Sequence, residues 1–212
     1  MVHKTAQRWR MLGLAWLIAA MPVMAEAGSM ATTDKGLAIA TFAGGCFWCM
    51  QPPFDNARGV VSTRVGYTGG HVPNPTYAQV STGTTGHLEA VEVTYDPKQI
   101  TFDALLKIFW HNIDPTQGDG QFVDRGPQYH TAIFYHNEEQ RLAAEKSKAQ
   151  LAASNRFDSP IVTRILPAGP FYPAEDYHQH FSDKNPLRYE IYRSGSGRSR
   201  YIERTWGETP AH

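Results

Sequence analysis

Both cysteines of the chain, Cys46 and Cys49, stand in one stretch, Gly44-Gly45-Cys46-Phe47-Trp48-Cys49. A CxxC spacing admits three chemistries: a redox pair, half of a metal site, or a small structural bridge. A bridge closing so short a loop removes little chain entropy, so stabilisation is a poor reason for one. A tetrahedral metal site needs two further ligands, and the tight candidate pair is His178 and His180. Side chains two positions apart point to opposite faces of a strand, and about 200° apart on a helix. Joint ligation is therefore awkward, and no metal is expected. Redox work by sulfur remains the better reading. The two rings inside the motif, Phe47 and Trp48, are either core packing or, if exposed beside a nucleophile, an apolar wall for a small apolar substrate group.

The elements that must hold this motif follow from pattern. Leu37 to Phe42 is apolar and reads as a buried strand, and Gly44-Gly45 permits a tight strand-to-helix turn. Cys46 is then expected at or near a helix N-terminus, where the helix dipole favours an anion and lowers a thiol pKa. Met50 to Ala57 reads as that helix, with Pro52 and Pro53 in a first turn or at a kink. Val60 to Tyr67 reads as a strand, Gly69 to Gly86 as a long irregular loop, and His87 to Tyr95 as a strand with alternation at Val91, Val93 and Tyr95. Thr101 is an N-cap for a helix with apolar residues at Phe102, Leu105, Leu106, Phe109 and Ile113. After a polar loop from Asn112 to Tyr129 come a strand at Thr131 to Tyr135, a helix capped by Asn137 and running to about Ala153, and a strand at Ile161 to Leu166. The order is βαββαβ followed by αβ, which predicts an α/β (α+β) fold: a ferredoxin-like split βαβ sandwich with long irregular loops. From Pro167 on regular patterns fade, so a coiled C-terminal extension is expected, with a short helical stretch around Ala174 to Phe181.

The ends set the context. Lys4, Arg8 and Arg10 precede an apolar run from Met11 to Met24, with small residues at Val23-Met24-Ala25 or Ala25-Glu26-Ala27 for cleavage. Residues 1–25 thus read as a secretory signal, with an uncleaved anchor as the alternative; the run is short for a membrane span. Residues 26–36 read as a flexible tether, 37–206 as one catalytic domain and 207–212 as a tail. Export to the periplasm is the expectation. Loss of those three cations changes the balance from 20 basic and 20 acidic residues to 17 and 20, a net of −3. Such a surface offers no electrostatic footprint for nucleic acid or anionic lipid. No stable membrane insertion is expected, and the mature chain reads as a monomer.

Five motifs in order give the sequence a family likeness. Gly44-Gly45-Cys46-Phe47-Trp48 resembles the signature of the A-type peptide methionine sulfoxide reductases. Val65-Gly66-Tyr67-Thr68-Gly69-Gly70 with Asn74-Pro75-Thr76-Tyr77 resembles the family's second motif, and Gly86-His87-Leu88-Glu89-Ala90-Val91 its third. Asp114-Pro115-Thr116-Gln117 through Asp124 and Gln128-Tyr129 is similar to the fourth, and Ala174-Glu175-Asp176-Tyr177-His178-Gln179 to the fifth.

The resemblance implies that Cys46 attacks the sulfur of methionine S-sulfoxide, free or in oxidised proteins, and becomes a sulfenic acid. It implies Glu89 as proton donor, Tyr77 and Tyr129 holding the sulfoxide oxygen, Asp124 orienting substrate or thiol, and Phe47 and Trp48 packing the substrate methyl group. A glutamic acid that donates near neutral pH must be partly desolvated. His178 is expected to be structural. Glycine is usual in the family where Cys49 stands, and no cysteine follows Cys49. Cys49 is therefore the expected resolving residue, forming a disulfide with Cys46 that thioredoxin or a thioredoxin-like protein reduces, with no bound cofactor. Two rivals are an exported thiol-disulfide oxidoreductase acting through the CxxC pair and a non-enzymatic aromatic-rich binding domain.

Overall fold

The structure, a computed structural model, describes residues 1–2 and 36–207. The expected signal, tether and tail lie, but for their edge residues, outside the described residues. The chain runs through β1 (Ala38–Gly44), α1 (Phe47–Asp55), β2 (Val60–Thr68), a short α2 (Tyr77–Ser81), β3 (Leu88–Tyr95) and α3 (Phe102–His111). A small ribbon, β4 (Gly120–Gln121) with β5 (Asp124–Arg125), precedes β6 (Thr131–Tyr135), α4 (Glu138–Ala153) and β7 (Arg164–Pro167). The C-terminal part carries β8 (Tyr172–Pro173), α5 (Phe181–Lys184), α6 (Pro186–Gly195) and α7 (Arg198–Trp206).

The main sheet has the order β7-β6-β1-β3-β2-β8. Its middle four strands, β6-β1-β3-β2, are antiparallel neighbours, the order that two interlocked βαβ units produce. The expected ferredoxin-like core is therefore present. β7 adds in parallel to β6, and β8 pairs antiparallel with β2 at the opposite edge.

On one face of the sheet the ring of Phe42 stacks at 5.1 Å on Phe54 of α1 and at 5.3 Å on Phe109 of α3. Val91, Val93 and Tyr95 alternate onto that same core. The opposite face of β3, at Leu88 and Ala90, is covered in turn by Leu166, Ala168 and Phe171. The first half of β3, where Glu89 lies 2% exposed, is thus covered on both faces.

Five expectations need correction. α1 begins at Phe47 instead of Met50 and ends at Asp55, with Pro52 and Pro53 inside it. Those prolines withdraw the N–H groups that would satisfy the carbonyls of Trp48 and Cys49; Arg193 donates to the Cys49 carbonyl instead, at 3.4 Å. The loop at 69–86 contains α2, started by a capping box between Thr76 and Gln79. The helical stretch expected at 174–181 is a 3₁₀ turn at Asp176–His178 followed by α5, and β7 starts at Arg164 instead of Ile161. The extension is helical and not coiled: Pro186 opens α6, and Gly197, at φ 83, separates it from α7. α6 exposes Leu187 and Ile191 while it buries Tyr189 and Arg193, so its hydrophobic pattern points away from its packed face.

Candidate active site

Cys46 is the N-cap of α1, at the end of the Gly44-Gly45 turn, as the motif predicted. Gly45 has φ +80, and a Cβ there would lie 2.5 Å from Cβ of Gln121, so the turn requires glycine. Glu89 stands on β3 opposite Tyr67. Its Oε2 accepts the N–H of Phe47 at 3.0 Å, one of the first-turn donors that a helix leaves without an internal partner. That bond ties the carboxyl to the residue after Cys46. Tyr77 opens α2, and its N–H donates at 2.8 Å to Glu175, whose other oxygen accepts the hydroxyl of Tyr67 at 2.8 Å. Tyr129 closes a 3₁₀ turn at Pro127–Tyr129. Asp124 lies in β5 and accepts the hydroxyl of Tyr192, from α6, at 2.6 Å.

These residues meet around one cavity of about 100 Å³, lined by Cys46, Phe47, Trp48, Tyr77, Glu89, Asp124, Tyr129 and Tyr192. Of the expected site residues only Cys49 stands off the wall. It is buried behind Cys46, beside Phe181 and Tyr189, and the two thiols share a hydrogen bond. Trp48 stacks on Phe181 with centroids 3.8 Å apart, and its Nε1–H donates to Nδ1 of His178 at 3.0 Å. His178 is buried among Phe47, Trp48 and Tyr77, and burial lowers its pKa, so it serves as a neutral prop. His180 faces Asp55 at 3.2 Å instead. The two histidines do not converge, and among the described residues no cluster of three or more ligating side chains could hold a metal.

Burial raises the pKa of Glu89 to about 8, helped by the charges of Asp124 and Cys49 and opposed by the Phe47 N–H. The carboxyl is thus largely protonated at neutral pH. Burial and the nearby Glu89 push Tyr77 and Tyr129 up, so both remain O–H donors. Asp124 is raised by burial, against the pull of the Tyr192 hydroxyl and Arg198. The cysteines depart from expectation. Burial, then Cys49, drives the Cys46 thiol well up, with the charges of Glu89 and Asp124 adding to it. Cys49 is pulled down to about 7 by the hydrogen bond from Cys46, against burial, with help from Arg198 and Arg193. The pair gives up one proton near neutral pH, and the charge rests on the deeper sulfur.

Sequence reasoning missed Tyr192, Arg193 and Arg198, which lie in a polar run without a motif. It quoted Glu175 without giving it a task. The model of the family described as peptide methionine sulfoxide reductase matches residues 38–210. The chain belongs to that family. Peptide methionine sulfoxide reductase MsrA of Bacillus licheniformis is 56% identical over 169 residues, covering 80% of this chain and 93% of the relative. That of Halalkalibacterium halodurans is 57% identical over 175 residues, 82% of this chain and 99% of the relative. Two solved structures share the fold. Reduced Mxr1 of Saccharomyces cerevisiae has a TM-score of 0.68 at 32% identity, over 73% of this chain and 88% of that one. Methionine sulfoxide reductase A of Corynebacterium diphtheriae has a TM-score of 0.65 at 41% identity, over 72% and 77%. As a peptide methionine sulfoxide reductase the chain is an oxidoreductase, and its chemistry rests on amino-acid side chains alone.

Proposed function

We propose that this reductase converts methionine S-sulfoxide, free and in oxidised proteins, to methionine through Cys46, with Cys49 as the resolving thiol. The observation that carries the reading is the convergence of one sulfur, one protonated carboxyl and two phenols on a recess of about 100 Å³, room for little more than a sulfoxide and its methyl group. Cys46 attacks the substrate sulfur while its own proton moves along the S–H···S bond to Cys49. Glu89 protonates the sulfoxide oxygen, which the hydroxyls of Tyr77 and Tyr129 hold. The hydroxyl passes to Cys46 as a sulfenic acid and methionine leaves. Cys49 then displaces that hydroxyl as water, so two thiols become one disulfide for each sulfoxide reduced. Phe47 and Trp48 face the methyl group, and Tyr192, edge-on to Trp48 at 5.9 Å, continues that wall to Asp124.

A thioredoxin-like dithiol is the proposed reductant; yeast Mxr1 has been solved in complex with Trx2. Thiol-disulfide exchange on protein substrates is not favoured, since it leaves Glu89, Tyr77 and Tyr129 without a task. The N-terminal pattern from Lys4 to Ala27 supports export to the periplasm. Among the described residues no helix is long and apolar enough to cross a membrane.

The test is a single turnover of pre-reduced protein with each sulfoxide epimer and no reductant, followed by a thiol count. Release of methionine from the S epimer alone, with both thiols lost, is expected. Release with Cys49 still free would remove its resolving role, and no release from either epimer would remove the reductase reading.

A further inference from the structure

Beneath the cysteine pair lie two arginines, and they are among the most buried side chains of the molecule: Arg193 is 2% exposed and Arg198 1%. Among the described residues neither forms an ion pair with a carboxylate. Arg193 donates to the Cys49 carbonyl at 3.4 Å and to the hydroxyl of Tyr189 at 3.0 Å. Arg198 donates to the carbonyls of Gly44, at 3.1 Å, and Asn112, and to the sulfur of Met50 at 3.3 Å, with its guanidinium over the ring of Phe122. The Nε of each has no partner. A buried cation without a counter-charge is strongly disfavoured, so two of them under one site call for an anion close at hand.

The charged and titratable groups facing Cys49 are Cys46 at the N-cap of α1, Glu89 on β3, Asp124 on β5, Tyr189 and Tyr192 on α6, and the two arginines. Glu89 is largely protonated and the tyrosines keep their protons. Asp124 accepts the Tyr192 hydroxyl and, of the arginines, is drawn toward its charged form by Arg198 alone, whereas the sulfur of Cys49 is drawn that way by both.

We propose that Arg193 and Arg198 are positioning residues: a buried cationic floor, brought in by α6 and α7, that holds Cys49 as a thiolate for its attack on oxidised Cys46. The inference rests on the reductase reading and gives the C-terminal helices a part in it. In the step itself Cys49 gives up the proton it took from Cys46, its electron pair forms the new S–S bond, the S–O bond of the Cys46 sulfenic acid breaks, and the hydroxide takes that proton and leaves as water. A thiolate attacks where a thiol does not.

The test separates this from the overall activity. The ultraviolet absorbance of the Cys49 thiolate is titrated in a Cys46→Ser protein, then with Arg193→Met or Arg198→Met added, and with the matching lysine substitutions. With Cys46→Ser alone, a midpoint well below the ordinary thiol value of about 8.5 is expected. Each methionine substitution should raise it by about one unit, equivalent to about a tenfold slower loss of the second thiol at pH 7 in the otherwise native chain, and lysine should restore most of the shift. A midpoint at the ordinary value with both arginines present overturns the proposal even if the double variants fail to fold, as does a midpoint that methionine leaves unmoved. Methionine release by the native chain, measured alongside, judges the reductase reading separately.

Discussion

Cys46 and Glu89 are carried by the central sheet, Cys46 at the exit of β1 and Glu89 in the ladder of β3, whereas Asp124, Tyr129 and Tyr192 come from a loop and from the C-terminal helices. The sheet pair is fixed by register: a slip of one residue in β3 would carry Glu89 to the other face. The loop and helix group is fixed by bonds between segments far apart in sequence, such as Tyr192 to Asp124 and Trp48 to His178. The difference separates two tasks. Atoms that exchange bonds and protons stand on the stiff part, and those that shape, charge and close the recess stand on parts that can be exchanged or moved.

The sharpest way to break this contrast is Glu89→Gln, which keeps an acceptor for the Phe47 N–H but removes the acid. Steady-state kcat/KM should fall roughly 10²–10⁴-fold. The loss of native activity above pH 8, where Glu89 ionises, should vanish with it. The stability profile should move too. Because folding raises this carboxyl from its ordinary range to about 8, its stabilising contribution is complete below the unfolded value and is lost as pH rises through about 8. Denaturant titration should therefore find the variant gaining on the native protein across that window.

Phe181→Ala acts on the other support. Loss of a buried ring stacked on Trp48 should cost about 3 kcal/mol of unfolding free energy and raise KM more than it lowers kcat. If kcat fell as far as with Glu89→Gln, the division of tasks would be wrong. Tyr192→Phe should have the smallest effect, about tenfold or less in kcat/KM, since it removes one hydrogen bond to a carboxylate and keeps the ring. It should also raise the apparent pKa of Asp124, readable by carboxyl NMR, because that hydroxyl stabilises the charged form.

How far the sequence could be read follows the same division. β1, β3 and α3 were visible because their apolar spacing agrees with their buried faces, and α4 because Asn137 caps a run rich in Ala, Glu, Lys and Gln, as Thr101 caps α3. The expected site residues other than Cys49 meet around one cavity. α6 and α7 were not legible, since they bury arginines and expose Leu187 and Ile191; tertiary need there overrides pattern. The thiol was misread for a related reason. A helix N-terminus lowers a thiol pKa only where burial and neighbouring acids do not outweigh it, and the burial of Cys46 beside Cys49, Glu89 and Asp124 depends on tertiary packing rather than on local sequence.

The narrowness of the recess has a consequence for which methionines can be repaired. Cys46 is 7% exposed at the floor of a space of about 100 Å³, so a side chain must arrive at nearly full stretch, free of its own neighbours. A sulfoxide packed inside a folded protein cannot do so, and one on a loosened or unfolded segment can. Oxidation itself puts a polar oxygen where an apolar side chain had packed, which loosens that packing. The lesion therefore creates its own access, and the dimensions of the recess make local unfolding of the client as much a part of recognition as the oxidised sulfur.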